Sequence, residues 1–451
     1  MSALIPLHLL LQPDRWPANA PLCHDGHTVV TWQHVLQRLT DRQAMYAIAP
    51  EARWLIIQDH PLDFLIDLLA LLAADKHAVI PPNNLNGTAD RLRAAWDACT
   101  PPHKVGPAAN ASPAGSLSID PNKPAIHLYT SGSTGEPKSV IKTLRHFETE
   151  IESLEGVWGK DMGNCAVVST APHQHFYGLL FRLLWPLTTG RVFDTATCAD
   201  PDTLTQRLWH FGRAVLVSSP AQLGRLPEWM EPTSLTPYLA RVFSSGGPLP
   251  AQAAHTLAQA WGRAPTEVFG STETGGIAWR EQGADDSWTP FPGIGVSAAA
   301  DGALLLQSPL VDSDAPYAMD DAVALLSDGR FRLLGRLDRV VKIEEKRISL
   351  PDMEHRLRQH EWVADAAAVA LPTERRQVLG VVLVPSAAGR HQLEQHGRAA
   401  TAQALRLHLA GEFEAVALPR RWRFLARLPL DERGKLTPAV LHPLFTPPRS
   451  T

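Results

Sequence analysis

Tyr129-Thr-Ser-Gly-Ser-Thr-Gly-Glu-Pro-Lys138 follows an apolar run, Ala125-Ile-His-Leu-Tyr129, that reads as a strand. A strand end followed by two glycines, several hydroxyls and a lysine has the chemistry of a phosphate cradle. The glycines let the chain fold tightly, freed N–H groups and hydroxyls donate to phosphate oxygens, and Lys138 adds a point charge. A Walker loop needs Gly-Lys-Ser/Thr; here Pro137 precedes the lysine and Ser139 follows it.

Working outward, residues 106–124 are small, polar and proline-rich and read as a loop. Before them, Trp54–Gln58 and Ala78–Ile80 read as buried strands flanking an apolar helix over Pro61–Ala74. Beyond the phosphate loop, strands are expected at Ala166–Thr170, Ala214–Ser218, Arg241–Ser244, Thr266–Phe269 and Ala303–Gln307, with helices between most of them. Alternation of this kind predicts an α/β layered domain. Val323–Leu326 and Arg330–Leu334 flank Ser327-Asp328-Gly329, a hairpin signature. After Gly335 the texture changes. Val340–Leu350 reads as a strand, and Leu350-Pro351-Asp352 as a helix start. Val363–Leu371 and Val378–Pro385 read as strands and Ala399–Phe413 as a helix, a small α+β unit.

The 451 residues carry 42 Lys+Arg against 46 Asp+Glu, which argues against a chain-wide nucleic-acid-binding surface. The imbalance is local: residues 1–335 hold 23 basic and 33 acidic residues, residues 336–451 hold 19 and 13. The break predicts two bodies, 1–335 and 336–451. No run of about 18 apolar residues suggests a membrane span, and the N-terminus lacks the basic opening of a secretory signal. Cys23, Cys99, Cys165 and Cys198 are widely spaced, which fits a reduced cytoplasm better than a disulfide scaffold.

Further motifs follow in order: Ser245-Gly-Gly-Pro-Leu-Pro250, Phe269-Gly-Ser-Thr-Glu-Thr-Gly275, Asp321 eight residues before Gly329, Gly335-Arg-Leu-Asp338 and Leu430-Asp-Glu-Arg-Gly-Lys435-Leu436. With the phosphate loop, this set resembles the adenylate-forming superfamily: acyl- and aryl-CoA synthetases, adenylation domains of nonribosomal peptide synthetases, and luciferases. The resemblance implies a large N-terminal domain of α/β layered subdomains and a small mobile C-terminal lid. It also implies a shared first step, in which a carboxylate attacks the α-phosphorus of ATP, pyrophosphate leaves and an acyl-adenylate remains. Negative charge crowds one phosphorus in that transition state, so preorganised positive charge is the main requirement.

On this resemblance, Thr130, Ser131, Gly132, Ser133, Thr134, Gly135 and Lys138 would hold the ATP phosphates. Gly246, Gly247 and Pro248 would flank the adenine, with Phe269, Gly270 and Ser271 beside the nucleotide. Thr272 would contact the adenylate phosphate and Glu273 would help bind Mg²⁺. Asp321 would hold the ribose hydroxyls, with its neighbour Asp320 as the rival, and Arg336 would add a donor. Lys435 would be the catalytic cation, and Asp338 the hinge about which the lid turns for thioester formation. Pro172-His-Gln-His-Phe-Tyr-Gly178 resembles the family's Pro-x-x-His-x-x-Gly motif, which would place His175 beside the carboxylate pocket; a satisfied core histidine is the alternative. No further ligands cluster near the His-x-His pair, so a zinc site is not expected.

The departures bear on substrate. Where relatives carry a glycine turn lining the pantetheine passage, this chain has Lys342-Ile-Glu-Glu-Lys-Arg347. Carboxylates there would repel the phosphates of free CoA, unless the segment is only a solvated turn. Arg420-Arg-Trp-Arg-Phe-Leu-Ala-Arg427 could steer an acidic acyl carrier protein, or face solvent or nucleotide. The segment 172–178 lacks the aspartate that amino-acid-activating relatives use for the α-ammonium. Within the superfamily, the short chain is most similar to ligases that load hydroxybenzoates onto carrier proteins for xanthomonadin or aryl polyene pigments. An aryl- or acyl-CoA ligase is the alternative, and an inactive nucleotide-binding homologue a third possibility.

Overall fold

Helix Pro61–Ala73 shows how the first layer forms. Proline occupies its first turn, where the missing N–H costs nothing, and Asp63 complements the N-terminal dipole. Nearly every residue from Pro61 to Leu72 is buried, so the helix lies inside the fold, with its buried Asp67 bonded to Tyr46 and Gln58. It crosses from strand Arg53–Leu55 to the parallel strand His77–Ile80. These belong to a five-stranded sheet in the order Ala98–Cys99, Arg53–Leu55, His77–Ile80, Ile126–Ser131, Pro137–Lys142. The first four strands are parallel, and the fifth returns antiparallel from the phosphate loop.

The computed structural model describes the chain apart from residues 1–3, 13–14, 18, 104–116, 132–136, 284, 314, 344–345, 373–376, 411, 414, 416, 431–435 and 446–451. For Ser131, Asp338 and a few others it describes the backbone alone. By internal contacts the chain divides into two units, Met1–Gly295 with Gln307–Asp314, and Val296–Leu306 with Ala315–Thr451. The expected boundary at 335/336 falls inside the second unit.

The first unit also holds a nine-stranded sheet. Its order runs Thr289–Pro290, Gly275–Glu281, Thr266–Ser271, Leu239–Ser245, Ala214–Ser218, Ala166–Ser169, Phe193–Thr197, Pro21–Asp25, Thr28–Thr31. From Thr266–Ser271 to Pro21–Asp25 neighbouring strands run parallel. Both faces are covered. Phe243, Val215 and Val217 join the core that contains Trp158 and Phe181, while Val242, Leu216 and Val168 join a second core under Leu204, Leu223 and Leu257. Ligands in open α/β sheets bind outside the carboxyl ends of such strands, where 245–250 and 269–275 lie.

In the second unit, Tyr317–Leu325 and Phe331–Arg336 pair antiparallel as expected around 327–329. A three-stranded sheet joins Val363–Pro372, Gln377–Pro385 and Arg421–Phe424 over its own core. Two readings need correction. Val340–Leu350 is not one strand: Val340–Ile343 and Lys346–Ser349 form an antiparallel hairpin, closing at the acidic pair Glu344-Glu345, which lies outside the described residues. The helix expected over Ala399–Phe413 ends at Leu409, and a helix that the sequence reading missed precedes it from Ala387, the two meeting at Gly397, whose φ of 75° and ψ of 173° are not helical. Ser386 caps the preceding helix by accepting from Gly389 N–H at 3.1 Å.

Candidate active site

Strands Ile126–Ser131 and Pro137–Lys142 form a hairpin whose closing residues are the phosphate loop, so Thr130 stands opposite Lys138. Residues 132–136, which include Gly132, Ser133, Thr134 and Gly135, lie outside the described residues. Lys138 reaches across to the other sheet: its Nζ donates to Glu273 Oε1 at 2.9 Å. Burial pushes the Glu273 carboxyl up, but hydrogen bonds from Lys138, a backbone N–H and Ser271 outweigh it and hold the group below its ordinary value. The lysine side chain is 60 % exposed. A pair that open contributes only about 0–1 kcal/mol to stability, so its placement points to a ligand more than to the fold.

Glu273 sits at the tip of the hairpin formed by Thr266–Ser271 and Gly275–Glu281, an antiparallel return that the motif reading missed. The tip is cross-tied, Ser271 N–H donating to Thr274 Oγ1 at 3.1 Å and Thr274 N–H to Ser271 Oγ at 3.2 Å. Thr272 and Glu273 thus project from a closed turn. Gly270 is required for the crossing, because a Cβ there would stand 2.1 Å from the Gly275 carbonyl oxygen. On the neighbouring parallel strand, Gly246 and Gly247 follow Leu239–Ser245, with open space where a Gly246 side chain would be. Pro248 leads to Leu249, whose N–H donates to buried Glu267 at 2.9 Å.

Hydroxyls and loop amides suit phosphate oxygens, and one partly buried carboxylate beside them suits Mg²⁺, which keeps phosphate oxygens and water in its shell. Among the described residues, no group of three His, Cys, Asp or Glu forms a separate metal cage.

Sequence reading missed two buried groups behind this tip. Lys142 is 3 % exposed, and its Nζ donates to the carbonyls of Glu273 at 2.6 Å and Leu310 at 3.0 Å. Glu150, on helix Leu144–Met162, accepts from Gly276 N–H at 2.7 Å. Burial pushes Glu150 up to about 7 and Lys142 below its ordinary range. One signal was available: period-two alternation puts Lys142 on the buried face of Val140, with Ile141 outside.

Within the second unit, Asp321 stands opposite Arg336 in the hairpin register, while Arg336 Nη2 donates to Asp320 Oδ2 at 3.3 Å. Successive residues of a strand face opposite sides, so the two aspartates have separate surroundings. Asp338 lies in a single turn, Leu337–Arg339. Lys435 lies outside the described residues.

The segment 172–178 separates its two histidines. His173 is the core residue: it is buried, packs edge-on to Phe64 and shares a 3.1 Å hydrogen bond with the Gln58 carbonyl. His175 is exposed and precedes the short helix Phe176–Gly178. Gly178 has a packing reason, since a Cβ would meet the Pro172 carbonyl oxygen at 2.0 Å. Burial, with Arg182 adding to it, pushes His173 down to about 3. The unfolded chain therefore binds a proton between pH 6.5 and 3 that the folded chain refuses, and stability falls as pH drops through that window. His173→Gln keeps a donor for Gln58 and removes the titration. Compared with that variant, the wild type should lose about 2–3 kcal/mol between pH 6.5 and 4.5 in urea unfolding. Parallel pH curves would mean that His173 titrates alike in both states.

The family model described as AMP-binding enzyme matches residues 41–308, and that of the AMP-binding enzyme C-terminal domain matches residues 352–435. This chain belongs to the AMP-binding enzyme family. Similar members include a 4-coumarate–CoA ligase of Rhodobacter capsulatus, 29 % identical over 68 % of this chain and 73 % of that protein. A D-alanine–D-alanyl carrier protein ligase of Staphylococcus haemolyticus is 26 % identical over 68 % and 69 %. The fold matches ATP-bound MatB from Rhodopseudomonas palustris with a TM-score of 0.78 at 17 % identity, covering 99 % of both chains. The AMP-forming ligase fold, a large α/β N-terminal domain with a small C-terminal domain, is thus the fold of this chain, and ATP-dependent acid adenylation is the chemistry of its family. Among the described residues, no helix is long and apolar enough to cross a membrane.

Proposed function

We propose that this AMP-binding enzyme activates a hydroxybenzoate-type aryl acid with ATP and passes it to the phosphopantetheine thiol of an acyl carrier protein. The carrying observation is the segment 172–178. It offers no carboxylate for an amino acid's ammonium, and its half-buried Phe176 and Tyr177 are backed by the aromatic core, with Phe147 5.4 Å from Phe176 and Phe181 4.8 Å from Tyr177. A flat ring favours offset or edge contacts with side chains such as Phe176 and Tyr177.

Thr130, Ser131 and the loop residues 132–135 hold the phosphates with Lys138, and Thr272 contacts the reacting phosphate. Glu273 supplies a carboxylate to Mg²⁺, whose bound charge would stabilise the phosphates. Asp321 and Arg336 serve the ribose, Lys435 supplies the positive charge at the α-phosphate, and Asp338 is the hinge of a lid beginning near residue 336.

The carrier-protein reading has support in the similarity to a ligase named for a carrier protein and in the acidic pair Glu344-Glu345. All four arginines of the basic run, Arg420, Arg421, Arg423 and Arg427, are exposed, and Arg421 and Arg423 also donate to the carbonyls of Phe445 and Leu444. The similarity to a 4-coumarate–CoA ligase favours a second reading, with free CoA as acceptor.

Acid-dependent ATP–pyrophosphate exchange over a panel of acids, followed by thioester formation with holo carrier protein or CoA, tests these readings. Hydroxybenzoates should exceed fatty acids and amino acids in kcat/KM, with carrier protein as the better acceptor. A preference for medium-chain fatty acids would remove the aryl assignment, and a preference for CoA would establish the second reading.

A further inference from the structure

Lys142 is an exception in its strand. The buried face of a sheet strand is ordinarily apolar, and burying an ammonium costs several kcal/mol unless good partners compensate. Lys142 instead spends its charge on two main-chain carbonyls from distant parts of the chain, Glu273 and Leu310. Four residues earlier on the same strand, and so on the same face, Lys138 holds the carboxylate of the same Glu273. The acid is gripped at its side chain by one lysine and at its main chain by the other.

The two grips differ in what a nucleotide does to them. On the proposed function, on which this inference rests, Lys138 turns to the phosphates and Glu273 to the metal. Their mutual contact must then open. The Lys142 contact involves only the Glu273 carbonyl, so it persists while the side chain changes partner. Behind it, Glu150 accepts from Gly276 N–H on the returning strand of the hairpin, and Ser271 and Thr274 close the turn between. Lys142 and Glu150 both come from the segment that directly leaves the phosphate loop, strand Pro137–Lys142 and helix Leu144–Met162. Thr143 joins the two rigidly: its hydroxyl accepts from His146 N–H at 3.2 Å, while its own N–H donates to His146 Nδ1 at 3.1 Å, a capping box.

We infer that Lys142 and Glu150 form a buried brace that fixes the Thr272–Glu273 tip in register with the phosphate loop, making Lys142 a positioning residue for the ATP-dependent step. It touches no reacting atom and acts through the main chain of Glu273. Its effect belongs to nucleotide binding and adenylation, not to recognition of the acid.

The test compares Lys142→Met, Lys142→Arg and Lys138→Met with the wild type. Three measurements are made on each: amide hydrogen exchange of the peptide spanning 271–276, MgATP affinity by calorimetry, and acid-dependent pyrophosphate exchange. In Lys142→Met the 271–276 amides should exchange at least about tenfold faster, and MgATP affinity should fall about tenfold, the scale of a lost charged hydrogen bond. The acid KM should stay within about twofold while kcat falls. Lys142→Arg keeps donors for the carbonyls and should restore most of the protection. Lys138→Met should lose MgATP affinity with the hairpin still protected, which separates the side-chain grip from the main-chain one. Should Lys142→Met not fold, Glu150→Leu removes the second grip and should show the same faster exchange and weaker MgATP binding. A folded Lys142→Met or Glu150→Leu with native protection and native affinity would overturn the brace. If the wild type binds MgATP but exchanges pyrophosphate with no acid, the acid-activation reading fails, and the brace is judged on exchange and binding alone.

Discussion

Lys435→Ala should lower the rate of adenylation by about 10²–10³-fold while leaving thioester formation from a preformed acyl-adenylate much less affected. The carboxylate and the α-phosphate are both anionic, and their approach concentrates negative charge. A cation positioned there acts on the transition state more than on bound substrates. Its removal should therefore appear mainly in kcat of pyrophosphate exchange. In isolation Leu430-Asp-Glu-Arg-Gly-Lys435 is a polar turn, and the proposed role gives it a reason to carry a lysine. Supplying synthetic acyl-adenylate bypasses the step that needs this cation. Equal losses in the two half-reactions would assign Lys435 to folding or to general binding.

Asp338→Pro should show the reverse separation: measurable adenylation with transfer abolished. Asp338 occupies the middle of the turn Leu337–Arg339, between strand Phe331–Arg336 and hairpin Val340–Ser349. Proline would fix φ near −65° at this position and bias Leu337 away from helical geometry. A lid that must adopt two arrangements needs both backbone states at its hinge, so a locked hinge supports one half-reaction and loses the other. Single-turnover measurement of adenylate formation and of thioester formation reads both. If Asp338→Pro and Lys435→Ala each reduce the two half-reactions equally, no alternation occurs and the hinge assignment falls.

Much of the fold was legible because local chemistry and tertiary need coincide. Pro61–Ala73 is apolar except for Asp63 and Asp67 and has no other place than inside. Ala214–Ser218 is a short unbroken apolar run, as a central parallel strand with both faces covered should be. Boundaries failed where the signal was weak in itself. Val340–Ile343 and Lys346–Ser349 read as one strand because both halves have strand character and the sequence between them, Glu344-Glu345, contains no turn-forming glycine. The helix from Ala387 hid behind polar residues with little facial bias and a glycine at 397.

The site divides along the same line. Glu273 and Lys138, named from separate motifs 135 residues apart, meet at 2.9 Å. Gly178 and Gly270 could be named from motif alone, but their reason, a carbonyl oxygen about 2 Å from any added Cβ, exists only in three dimensions. The motif resemblance singled out His175, but only packing shows that His173 is the buried imidazole and His175 the exposed one. Lys142 and Glu150 belong to no motif. Their partners are main-chain groups, Glu273 O, Leu310 O and Gly276 N–H, which carry no side-chain identity for a sequence to display.

In acid adenylation the acid's carboxylate attacks the α-phosphorus of ATP, and oxygen-18 placed in the carboxylate traces that attack. The attack forms a carbon–oxygen–phosphorus bridge and expels pyrophosphate; the thiol then breaks the carbon–oxygen bond, and the bridging oxygen leaves with AMP. After turnover with labelled hydroxybenzoate and a thiol acceptor, mass spectrometry should find one labelled oxygen in each AMP and none in pyrophosphate. Formation of ADP with the label in inorganic phosphate would show attack at the γ-phosphorus and contradict the account.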